Sequence, residues 1–298
     1  MVVASVPFWV LTGSLAVVAR AVMNTYQKRL LEDASESEVL VVRDTVALGL
    51  FLPVVALTAV SQGFTGTTRG VAATVLTGLL NVIGAFMMFA ALSREDASVV
   101  LPLTSVSPVV TSLIEPLVRG TTVPPTVVVG AVLSGCGAAV VNSRTNTLQS
   151  VVHSSDTTAV VLALSVNLVF GVTSTLDGIA TTTVSPVYVS TVIVLFVGTG
   201  SVARLQRAQS RWPAQRDRLR ALYRADRGLL GILQFGGLAA TLFTFGAAPS
   251  ATQASVLFRA STVLVVIVAS VGLGEGYLRR RAAGATLIAV GVALGIAG

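Results

Sequence analysis

Residues 70–93, GVAATVLTGLLNVIGAFMMFAALS, run without a single charge. Segments of about 18–24 residues that hold no charge or one recur along the whole chain. That is the length an α-helix needs to cross a hydrocarbon core of roughly 30 Å. Composition agrees: 53% of the 298 residues are hydrophobic and 11% are charged, with a mean hydropathy of +0.84. A soluble domain carries roughly 25% charged residues. The chain therefore reads as an all-α integral membrane protein, multi-pass in the cytoplasmic membrane.

Several chemistries are excluded at this level. The lone thiol, Cys136, lies in an apolar segment and reads as a small packing residue. The lone histidine, His153, lies in a polar connection. No Cys/His/Asp/Glu cluster has metal-ligand spacing, and no nucleophile elbow or phosphate loop occurs. Neither enzyme activity, metal nor cofactor is expected. The N-terminal run MVVASVPFWVLTGSLAVV has no basic residue before it, so it reads as a first retained helix and not as a secretory signal.

Apolar windows bounded by charged, Gly/Pro or Ser/Thr clusters predict about ten helices. They span 4–27, 38–60, 71–92, 97–118, 123–142, 158–179, 186–204, 228–246, 252–272 and 282–297. Most connections are short. The exception is residues 204–228, with eight arginines and two aspartates. This segment reads as a loop touching anionic lipid head groups, not as a nucleic-acid patch. The loops after helices 1, 3, 5, 7 and 9 carry 15 basic residues, against two, Arg69 and Arg119, on the other side. The positive-inside rule places the richer side in the cytoplasm and both termini outside.

Two internal matches set the architecture. ASVVLPLTS at 97–105 aligns with ASVLFRAST at 254–262, and GAVLSGCG at 130–137 aligns with GATLIAVG at 284–291. They occur in the same order near the end of each half. Two halves of five helices each, 1–149 and 150–298, follow. An odd number of spans per half inserts the second upside down, which gives inverted repeats with a substrate site between them near the midplane. Gly130 and Gly137 share one helix face, as do Gly284 and Gly291, and read as contact faces for close helix approach.

Four features carry a family resemblance. NTYQKRLLEDASESEVLVVRD closes the first helix and leads to Arg43. AALSREDASVVLPLTSVSPVV ends in Pro108. LGEGYLRRRAAGATLIAVGVAL, 273–294, is a Leu-Gly-Glu loop before a Gly-rich last helix. The fourth is the two-half layout. Together these make the chain resemble the EamA-type members of the drug/metabolite transporter superfamily. That resemblance implies export or uptake of a small metabolite, with both termini inside, the reverse of the charge count. The chain departs from the pattern twice. LIEPLVRGTTVPP stands where the first Leu-Gly-Glu motif belongs, so Glu115 comes early, and Arg259 is not part of the pattern.

A charge at the centre of a spanning helix costs roughly 2.5–3.5 kcal/mol on insertion scales, so it faces a cavity or a partner. Arg20 and Arg259 lie deepest and are the first candidates to hold a substrate. Arg43 is a further one, unless it snorkels to the interface with Asp44. Asn81, Asn167 and Gln234 either line the same cavity or hydrogen-bond neighbouring helices. Glu115 and Asp177 are candidate proton-coupling carboxylates; for Glu115 the alternative is a capping role. Pro102 and Pro108 free carbonyls in the fourth helix, which either bends there or exposes acceptors to a cavity. The function these residues point to is secondary transport of a small polar or anionic metabolite by alternating access. The alternative is a non-transporting membrane scaffold or a membrane-embedded enzyme. A homodimer is left open.

Overall fold

The computed structural model describes residues 6–31, 33–92, 94, 100, 103–142, 156–208, 212–226, 228–264 and 278–298. Pro102, Arg144, His153 and Glu275 lie outside them. The described residues form helices and no strand. In chain order these are α1 (Phe8–Leu30), α2 (Glu36–Gln62), α3 (Thr68–Leu92), a 3-10 turn (Thr104–Val106) that runs into α4 (Ser107–Arg119), and α5 (Pro125–Asn142). There follow α6 (Thr157–Thr183), α7 (Pro186–Ala208), α8 (Trp212–Asp226), α9 (Leu229–Ala247), α10 (Ala251–Phe258) and α11 (Leu278–Ala297). Among the described residues, five segments are long and apolar enough to cross a membrane: α2, Thr68–Met88 of α3, α6, Pro186–Arg207 of α7, and α9. Phe8–Met23, Pro125–Val141 and Ala282–Ala297 are shorter apolar helices.

The helix starts are written locally. Ser35 caps α2 in a reciprocal box with Glu38, whose carboxylate accepts from the Ser35 N–H at 2.9 Å. Asp156 accepts the Thr158 N–H at 2.8 Å to start α6. α5 and α7 begin on Pro125 and Pro186, where a missing N–H costs nothing. α4 stops at Gly120, whose φ of +68° favours glycine.

Three expectations change. The basic segment 204–228 contains a helix, α8, where a loop was expected. Its Arg, Leu, Ala and Gln are good helix formers, and charge alone does not argue for coil. The ninth segment is not one unbroken helix over 252–272: α10 stops at Phe258 and Arg259 occupies a turn. Cys136 is exposed and does not pack inside.

α1 packs with α9, α2 with α7 and α9, α3 with α6 and α7, α4 with α6 and less extensively with α10, α6 also with α9, and α5 most extensively of all with α11. The closest backbone approach joins the last pair. A Cβ at Gly130 would lie 2.5 Å from the Gly291 carbonyl oxygen, and one at Gly291 would lie 2.6 Å from that of Gly130. Gly137 and Gly284 exclude each other in the same way, at 2.6 and 2.7 Å. The pairing 130/291 and 137/284 makes α5 and α11 antiparallel. The largest buried apolar cluster gathers Ala16 and Val17 of α1 with Leu176 and Ala180 of α6, Leu242 and Phe245 of α9, and Phe258. The polar site is set beside this cluster.

Candidate functional site

α1 carries Arg20 into the middle of the bundle. Its guanidinium carbon lies 4.6 Å from the centroid of the Phe258 ring. Its Nη2 donates to Thr241 Oγ1 on α9 at 3.3 Å. The Thr241 hydroxyl donates to the Gly237 carbonyl at 2.7 Å, so its lone pairs stay turned toward the arginine. The Phe258 ring is held from behind by Phe245, edge-on at 5.4 Å.

Arg259 sits where α10 ends. Its N–H bonds to the Val256 carbonyl at 3.0 Å, a tightened last turn, and its carbonyl accepts the Thr262 N–H at 3.0 Å. Its side chain donates through Nη2 to Ser107 Oγ, the first residue of α4. Interrupted helices are how transporters bring polar groups to the membrane midplane, because irregular backbone is tolerated there only beside a cavity or buried in protein. The 3-10 turn before Ser107, with Pro108 just inside α4, is a second irregularity on the facing element.

Asp177 of α6 completes the group. It is buried and accepts from Thr77 Oγ1 on α3 at 2.7 Å. Asn81, one turn along α3, donates to the Thr77 carbonyl at 2.9 Å and to Thr77 Oγ1 at 3.3 Å. Arg20 is within electrostatic reach of both Asp177 and Arg259. Among the described residues neither arginine forms an ion pair within 4.0 Å. Asp177 thus acts on Arg20 at a distance while Arg20 and Arg259 repel each other, and the site is left electropositive. Its donors are forked and planar, which matches the two oxygens of a carboxylate or phosphate.

Glu115 is elsewhere. Its carboxylate, fully buried, accepts from the Ala251 N–H at 2.7 Å, the Thr252 N–H at 2.9 Å, the Thr252 hydroxyl at 2.8 Å and Arg119 Nη1 at 2.8 Å. It therefore closes the N-terminus of α10, where free N–H groups and the helix dipole favour an anion. Ser250 caps the same end by accepting the Gln253 N–H at 3.1 Å. Glu115 and Arg259 thus mark opposite ends of one short helix.

The other sequence candidates separate. Arg43 pairs with its neighbour Asp44, at 2.7 Å through Nε and 3.1 Å through Nη2, near the start of α2. Asn167 of α6 donates to the Leu103 carbonyl at 2.6 Å and ties α6 to the 3-10 turn. Gln234 stands seven residues before Thr241, on the same face of α9 two turns away. The structure therefore joins Arg20, Arg259, Asp177 and Asn81, and places Arg43, Asn167 and Glu115 in other local networks. Thr77, Thr241, Phe258 and Ser107 were not singled out from the sequence. Thr77 is one helical turn from Asn81 and Phe258 is adjacent to Arg259, so proximity to flagged residues was the available signal.

Residues 7–143 match the EamA-like transporter family, so the EamA-type pattern read from the sequence is present over that half. No curated protein matches the chain. A solved structure described only as "Crystal structure of protein" shares the fold. It has a TM-score of 0.68 at 16% identity, covering 96% of this chain and 95% of that one. The likeness in fold thus extends across the second half, beyond the family match.

Proposed function

We propose that this chain, EamA-like over residues 7–143, is a secondary transporter that moves a small anionic metabolite across the cytoplasmic membrane by alternating access. The observation that carries this reading is the pair of half-buried guanidiniums, Arg20 and Arg259, set at a helix interruption, with Asp177 within electrostatic reach of Arg20 and no ion pair to either arginine among the described residues. An anion entering the site relieves the repulsion between the two cations and uses donors already in place. Arg259 and Arg20 hold the anion. Asp177 is the protonatable group, positioned by Thr77 and Asn81. Gln234 borders the path, while Arg43, Asn167 and Glu115 keep their helices in place.

The moving parts are two inverted five-helix halves, 1–149 and 150–298, with α8 as an addition to the second. The helix pairing supports this. Under exchange of each helix with its counterpart five spans away, α1–α9 exchanges with α3–α6 and α3–α7 with α2–α9, while α2–α7, α4–α10 and α5–α11 map onto themselves; α6–α9 has no matching pair of comparable extent among the described residues. The reciprocal Gly130/Gly291 and Gly137/Gly284 contacts fit a two-fold relation of this kind. The side bearing α8 faces the cytoplasm and both termini face outward. A reporter fused after Gly298 that is active in the cytoplasm would overturn that orientation.

Uptake into proteoliposomes tests the function. A panel of anionic, zwitterionic and cationic metabolites is expected to yield saturable uptake or counterflow for an anion. Uptake confined to neutral or cationic compounds would contradict the anion reading. Transport of nothing in the panel would favour a scaffold.

A further inference from the structure

α8 lies against the first turns of α2, and a groove of about 720 Å³ runs between them. The α2 side is mostly apolar, with Val41, Val42 and Val46 beside the single hydroxyl of Thr45. On α8, Arg216, Leu219, Arg220, Tyr223 and Arg224 recur at the three- and four-residue spacing of one helix face. All three arginines on that face are exposed, and none joins an ion pair among the described residues.

The nearby acids leave this charge in place. Asp217, exposed at the edge of the face, is outnumbered three to one. Asp44 is taken by Arg43, Glu38 is spent on the Ser35 cap, and Asp226 accepts the Leu230 N–H at the start of α9. α8 itself is too polar to span, whereas α2 is a candidate span. The groove therefore sits where a polar surface helix meets the first turns of a spanning one. There, an apolar floor meets acyl chains and an arginine rim meets head groups.

We propose that this groove is a binding site for one anionic phospholipid. The phosphodiester is held by Arg216, Arg220 and Arg224, and an acyl chain lies over Val42, Val46 and Leu219. Arginine rather than lysine suits the role, because its fork meets two phosphate oxygens at once. Tyr223 has the amphipathic ring that settles at the head-group level. A water-soluble anion would gain nothing from the valine floor. The site is separate from the Arg20/Arg259 centre and does not depend on what the protein transports.

Native mass spectrometry of the full chain in detergent tests it, with dioleoyl phosphatidylglycerol, dioleoyl phosphatidylcholine and glycerol 3-phosphate as probes. The wild type is expected to retain one phosphatidylglycerol roughly tenfold more tightly than phosphatidylcholine. The combined Arg216→Gln, Arg220→Gln and Arg224→Gln variant is expected to lose that preference. Arg218→Gln, on the opposite face of α8, is expected to keep it. Should the triple variant melt early, Arg220→Gln alone carries the test, with weakening in the same direction. Equal retention of the two lipids by the wild type, or undiminished preference in these variants, would overturn the proposal. Displacement of the lipid by equimolar glycerol 3-phosphate would do so too, by assigning the site to a soluble anion.

Discussion

The guanidinium of Arg20 lies 4.6 Å from the ring centroid of Phe258, the residue that precedes Arg259. The cation delivered by α1 therefore stacks on the ring of the residue next to the cation at the end of α10. A ring face attracts a cation and lowers the cost of keeping it away from water. It does not neutralise the charge, so the site stays open to an anion. Ser107 and Thr241 add directional hydrogen bonds, one to each guanidinium, and fix where the two forks point.

Asp177 is held by Thr77 and not by a direct ion pair with Arg20. Replacing it with Asn preserves the shape and a hydrogen bond to Thr77 while removing the exchangeable proton. Uptake driven by a pH gradient is expected to fall tenfold or more in Asp177→Asn, while counterflow at equal pH on both sides persists. Equal loss of both activities would assign Asp177 to substrate binding or to folding.

Glu115 receives four hydrogen bonds at the start of α10. Gln at this position keeps the volume but loses the charge that matches Arg119 and the helix N-terminus. Breaking a buried pair of this kind costs about 3–5 kcal/mol. A clear drop in melting temperature is expected for Glu115→Gln, with the pH dependence of any residual transport unchanged. Wild-type melting together with lost pH coupling would instead make Glu115 the proton carrier.

The glycine contacts between α5 and α11 leave no room for a methyl group. In Gly291→Ala the new Cβ would fall 2.6 Å from the Gly130 oxygen and 2.7 Å from the Ser134 nitrogen, so the helices must separate. Overpacking of this kind costs about 1–3 kcal/mol. Gly137→Ala, 2.6 Å from the Gly284 oxygen, is expected to match it. Gly49→Ala and Gly236→Ala, with nothing within 4 Å of the added atom, are expected to fold as wild type or better. A thermal melt of the four purified variants distinguishes the two groups, and equal melting would break the link between close approach and stability.

What could be read in advance followed from the physics of each residue. Gly130, Gly137, Gly284 and Gly291 were legible because small residues at seven-residue spacing have one main use in lipid. Arg20, Asp177 and Arg259 were legible because a charge in an apolar run demands a reason. The partners of Glu115 were not, since two of its donors are backbone N–H groups, which any sequence supplies. The break at Arg259 was hidden as well. Arginine is a good helix former, and nothing local in ASVLFRAST signals a turn. α8 was missed because a dense run of arginines hides the face that Leu219 and Tyr223 share with Arg216, Arg220 and Arg224.

The most direct measurement compares counterflow of an anionic substrate by wild type, Arg259→Lys and Arg259→Ala in proteoliposomes, at matched protein content and melting temperature. Arg259→Ala is expected to lose at least tenfold in rate. Arg259→Lys is expected to fall between the two, because it keeps the charge and loses the fork. Wild-type counterflow by a normally folded Arg259→Ala protein would contradict a substrate-holding role for Arg259 and, with it, the anion site built around the Arg20–Phe258 contact.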